Sequence, residues 1–87
     1  VRIIKELKNN IDGCVVHTRI VEDDVTKESG HVVVISSVAP IGSTLCTHED
    51  ADSWPNDMDE RLVQAYMDAM HSDSLRFARN YRLCKDR

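Results

Sequence analysis

Two stretches decide the fold, CVVHTRIV at residues 14–21 and HVVVISSV at residues 31–38. Both are rich in β-branched residues, which lose rotamer freedom in a helix and pack well on a pleated surface. In the first, Cys14, Val16, Thr18 and Ile20 alternate with Val15, His17, Arg19 and Val21, so the two sets fall on opposite faces of a strand. In the second, Val32, Val34 and Ser36 face one side and Val33, Ile35 and Ser37 the other. Its start is apolar on both faces, the pattern of a strand placed centrally in a sheet. A polar, acidic segment ending at Gly30 joins the two, and adjacent strands so joined most simply form an antiparallel hairpin.

Upstream, Ile3, Ile4 and Leu7 are spaced i, i+1 and i+4, with Arg2, Lys5, Glu6 and Lys8 on the other side. That spacing predicts a short amphipathic helix over residues 1–10, stopped by Asn9, Asn10 and the Asp12-Gly13 pair. Downstream, Pro40 and Gly42 end the second strand, residues 43–48 (STLCTH) offer a short third one, and residues 49–56 read as an acidic linker. Asp57 and Glu60 have the spacing of a capping box and predict the start of a long helix. Met58, Leu62, Ala65, Tyr66 and Ala69 form its expected apolar face. Ser72, Asp73 and Ser74 could restart it before Leu75, Phe77, Ala78, Tyr81 and Cys84 continue the stripe. The expectation is a single α+β domain over residues 1–87: an antiparallel sheet of two or three strands, with a short N-terminal and a long C-terminal helix packed on one face.

Composition sets limits on this scheme. A chain of 87 residues holds one core, which stabilises by only about 3–5 kcal/mol, so a partner or a homodimer fits its economy. The longest apolar run, residues 32–35, is far short of the roughly 18 residues that span a bilayer, and no secretory hydrophobic region follows the start. Three cysteines, Cys14, Cys46 and Cys84, are an odd number at wide spacing and read as reduced thiols. Together these features predict a cytoplasmic protein with no membrane partner.

Charge is distributed unevenly. Residues 20–60 carry ten acids against one base, Lys27, while residues 61–87 carry six bases against three acids, within a net charge of −4. The middle of the chain is therefore suited to a basic surface on another protein, and could imitate a phosphate array. Its expected contacts are Glu49, Asp50, Asp52, Asp57 and Asp59, with Trp54 as an aromatic anchor among them. The competing reading of Trp54 is that it packs back over the long helix near its cap.

Other chemistries find less support. Cys14 and His17 lie on opposite strand faces; Cys46 and His48 share one, but two donors hold no metal, and neither C-x-x-C nor H-E-x-x-H occurs. Three glycines and no G-x-x-x-x-G-K leave no phosphate cradle. A thiol- or metal-dependent enzyme is thus the second alternative, and the expectation is no enzyme, no metal and no cofactor. The first alternative is a nucleic-acid-binding domain that uses Arg76, Arg79, Arg82 and Lys85 beside Phe77 and Tyr81. The expected element order resembles the topology of double-stranded-RNA-binding domains. Yet the long helix opens Asp57, Met58, Asp59, Glu60, which repels a phosphate backbone. The reading carried forward is a non-enzymatic inhibitor or adaptor that binds a protein with a basic, possibly nucleic-acid-binding, surface.

Overall fold

The computed structural model describes residues 2–22, 30–43, 45 and 47–80. Four strands, β1 (Arg2–Ile11), β2 (Cys14–Glu22), β3 (His31–Pro40) and β4 (His48–Pro55), precede one helix, α1 (Glu60–Asn80). The strands form an antiparallel meander in the order β1-β2-β3-β4, and α1 lies across one face. The class is α+β, but the expected arrangement is overturned in three places.

First, there is no N-terminal helix: residues 2–11 are β1, paired with β2 from Arg2↔Glu22 to Ile11↔Cys14. Asp12 and Gly13 both have positive φ, 50° and 79°, and close a two-residue hairpin whose twist matches the flanking strands. The pair read as a helix stop is therefore the turn that creates the strand. A register shift between Ile3 and Lys5 breaks the period of two and gives the helix-like spacing of Ile3, Ile4 and Leu7.

Second, the acidic linker is strand β4, paired with β3 from Val38↔His48 to His31↔Pro55, so the sheet has four strands. The expected strand at 43–48 meets it only at His48.

Third, α1 runs unbroken from Glu60 to Asn80. Its cap is Asp59 rather than Asp57: Asp59 Oδ1 accepts from the Arg61 amide at 2.9 Å, and its carbonyl accepts from Leu62 and Val63. The buried face is Val63, Met67, Met70, His71, Ser74 and Ala78, while Leu62, Ala65 and Ala69 of the expected stripe are exposed.

The hairpin of β2 and β3 has the predicted antiparallel pairing and the predicted facing. Its inward residues build two apolar clusters under α1. One joins Ile20, Val32 and Val34 to Val63, Met67 and Met70; the other joins Cys14, Val16 and Val38 to Ala78. Cys14 is fully buried and disulfide-bonded. That corrects the reading of three reduced thiols, since an odd count leaves room for one bridge. Cys46 and Cys84 lie outside the described residues.

Candidate functional site: an acidic flank beside the core

Between the two apolar clusters runs a chain of buried polar groups. His71 Nε2 meets Asn9 Oδ1 at 2.7 Å and His71 Nδ1 meets Thr18 Oγ1 at 2.6 Å. Thr18 Oγ1 meets Ser36 Oγ at 2.8 Å, and Ser36 Oγ meets Ser74 Oγ at 2.6 Å. Their directions follow from one constraint. Asn9 presents an oxygen, so Nε2 donates; the neutral imidazole then accepts at Nδ1, Thr18 donates to it, Ser36 to Thr18, and Ser74 to Ser36. Burial holds the His71 imidazole below the usual histidine range, Asp68 partly offsetting this and His17 adding to it. Thr18, Ser36 and Ser74 have no exposed surface, so no substrate atom reaches these hydroxyls in this geometry. The sequence hinted at the chain only through Thr18 and Ser36, two hydroxyls at inward positions of apolar strands.

The residues expected to bind a partner divide in two. On β4, Asp50, Asp52 and Trp54 share a face with His48 toward α1, while Glu49 points to the opposite face of the sheet. Asp57 and Asp59 follow in the turn leading into α1, exposed like Asp50 and Asp52. The structure thus gathers Asp50, Asp52, Asp57 and Asp59 on one flank and leaves Glu49 out. Trp54 is half-buried, packed on the core cluster and tilted at 60° against Tyr66 with ring centroids 5.0 Å apart. Of the two readings of Trp54, the one that packs it over the helix describes its position. Its indole nitrogen is buried without a hydrogen-bond partner among the described residues.

Two aromatic pairs line this flank. His48 stacks on Phe77 at 4.3 Å, and His48 Nε2 lies 3.1 Å from Asp50 Oδ2. Asp52 beside the Tyr66 hydroxyl favours the protonated phenol, and together with burial and the charges of Asp52 and Asp50 it raises the Tyr66 pKa. Arg76 pairs with Asp73 at 3.9 Å and Arg61 with Asp59 at 3.8 Å. Among the described residues, no lysine or arginine pairs with Asp50, Asp52, Asp57 or Glu60. β4 is also an edge strand of the sheet, so the backbone groups on its outer side find no partner strand among the described residues.

The alternative sites are less complete. Arg76 and Arg79 are exposed on the last turns of α1, while Arg82, Lys85 and Tyr81 lie outside the described residues. The loss of the N-terminal helix also removes the topological likeness to double-stranded-RNA-binding domains. Among the described residues, no three His, Cys, Asp or Glu side chains come together to hold a metal ion. A concavity of about 700 Å³ between β1 and the start of α1 has mixed walls: Arg2, Lys5 and Arg61 face Glu22, Glu60 and Asp68 around an apolar floor. No described helix is long and apolar enough to cross a membrane. No family model, no curated protein and no solved structure matches this chain.

Proposed function

We propose that this protein is a non-enzymatic binding module, an inhibitor or adaptor, whose acidic flank docks on a basic surface of a partner protein. The supporting observation is the set of carboxylates at Asp50, Asp52 and Asp57 that no lysine or arginine among the described residues neutralises, carried by an edge strand and the turn after it. Exposed acidic side chains in this setting speed encounter with a cationic surface. The aromatic pairs Trp54–Tyr66 and His48–Phe77 supply apolar contact area beside them. A partner that normally holds nucleic acid fits this charge pattern best. The cytoplasmic expectation drew on three reduced thiols as well as on the lack of a secretory hydrophobic region; with Cys14 bridged, the thiols no longer favour it and an oxidising compartment suits the module.

The test uses a labelled peptide of alternating lysine, arginine and serine, titrated while Trp54 fluorescence and peptide anisotropy are followed across a salt series. Binding that weakens with salt, and is lost when Asp50, Asp52, Asp57 and Asp59 are all changed to Asn, supports the proposal. Equal salt slopes for wild type and this variant overturn it. Retardation of labelled duplex RNA that depends on Arg76 and Arg79 would replace it with the nucleic-acid alternative.

A further inference from the structure

The face of the sheet opposite α1 carries no described element. Its described rows from β1 to β4 are Ile3, Val21, Val33, Ser53; Glu6, Arg19, Ile35, Ala51; Lys8, His17, Ser37, Glu49; and Asn10, Val15, Ala39, with His31 and Pro55 beyond Val33 and Ser53. We propose that this face is the contact between two copies of the chain, packed sheet on sheet about a two-fold axis that runs along the strands between β2 and β3.

Three features of the face carry this. Its charges balance, Glu6 and Glu49 against Lys8 and Arg19, in a chain whose net charge is −4, so two copies meet here without repulsion. The central charges are also already joined within one chain: His17 Nε2 lies 2.7 Å from Glu6 Oε2, and Arg19 Nη1 lies 3.4 Å from both His17 Nδ1 and Ser37 Oγ. Burying them therefore leaves their main contacts intact.

The second feature is self-complementarity. The proposed axis exchanges β1 with β4 and β2 with β3 while keeping each row level. Val21 then faces Val33 of the second copy, Val15 faces Ala39, His17 faces Ser37, and Lys8 faces Glu49. Lys8 and Glu49, the two charges on this face without an internal partner among the described residues, lie at opposite edges of the sheet and meet each other twice in the dimer. Aligned sheets cross at about 30°, an offset at the edges that a lysine side chain spans.

The third feature is size. Four strands about 4.8 Å apart and about 30 Å long present roughly 600 Å² per copy. The pair then buries about 1,200 Å², above the roughly 1,000 Å² a specific interface needs. The molecule is 15 Å across its thinnest dimension, one sheet and one helix layer, so a second sheet supplies the missing cover. Among the described residues the face carries no phenylalanine, tyrosine or tryptophan.

Sedimentation equilibrium decides the matter. Wild type is expected at twice the 9.9 kDa chain mass at micromolar concentrations. Lys8→Glu and Glu49→Lys should each weaken the dimer about tenfold, because each sets like charges together at both contacts. The double variant should return to within about threefold of wild type. Val33→Glu, which sets a carboxylate against Val21 of the second copy, should give a monomer, and the charge variants, at exposed positions, keep the test valid if that chain does not fold. A wild type that stays monomeric up to 100-fold higher concentration, or a double variant no tighter than either single one, overturns the proposal. This contact uses neither Asp50, Asp52, Asp57 nor Asp59, so it and the acidic-flank reading stand or fall separately.

Discussion

Replacing Thr18 by Val tests the buried polar chain at its centre. The side chains are nearly isosteric, so the buried volume at Thr18 is kept and only the hydroxyl is lost. That hydroxyl both donates to His71 Nδ1 and accepts from Ser36 Oγ, at 2.6 and 2.8 Å. Its loss leaves one buried acceptor and one buried donor unpaired, at about 1–3 kcal/mol each, for a total of about 2–6 kcal/mol. Ser74→Ala removes only the terminal donor and leaves Ser36 bonded to Thr18, so about 1 kcal/mol is expected. Changing Thr18 to Val, Ser36 to Ala, Ser74 to Ala and His71 to Leu together leaves no buried orphan in the core, and should destabilise less than Thr18→Val alone. Urea midpoints at 10 °C, with slopes checked for constancy, measure all three. If Thr18→Val costs no more than Ser74→Ala, the groups do not act as a connected chain. A quadruple variant less stable than Thr18→Val would refute the argument from unpaired groups.

Two further outcomes follow from the same geometry. His71 has a folded pKa below its ordinary 6.5, so the unfolded chain binds a proton that the folded one refuses; stability is full above pH 6.5 and is lost as pH falls from there toward the folded value. Urea midpoints should therefore decline between pH 7.5 and about pH 5, and a His71→Gln variant should decline less, which a pH series compares directly. Asp59→Ala should lower stability by about 0.5–2 kcal/mol through loss of the cap on α1, whereas Asp57→Ala should change it by less than about 0.5 kcal/mol; thermal melts of the two side by side distinguish the cap from its neighbour.

How far the fold was legible depends on what held each element. β2 and β3 are central strands whose alternation and β-branched content are intrinsic to their own residues, and their pairing and facing could be read directly. β4 could not: HEDADSWP has little strand propensity, and what makes it a strand is pairing with β3 on one side and the packing of Trp54 on the core. Its carboxylates are what an edge strand carries to keep other strands away. β1 was hidden because its register shift breaks the alternation, while the Asp12-Gly13 turn that reveals it serves equally well as a helix stop. The helix itself was visible but its buried side was not. Counting apolar residues selects Leu62, Ala65 and Ala69, whereas the true face includes His71 and Ser74, polar groups that belong in the core only because Thr18, Ser36 and Asn9 are there to receive them.

The candidate surfaces were legible to a different degree. The charge imbalance is a property of composition, so the acidic segment stood out at once, but its division between two faces required the register of β4. One residue of strand separates Glu49 from Asp50, and that step places them on opposite sides of the sheet. The same register turns an observation about β3 into a physical demand. Val33 and Ile35 point away from α1 while Val32 and Val34 are buried beneath it. A strand that is apolar on both faces is usual where both faces are covered, and α1 covers only one. The proposed dyad would meet that demand by laying a second sheet over Val33 and Ile35, and it would set Lys8 against Glu49, charges of the two outermost strands that find no partner on this face among the described residues.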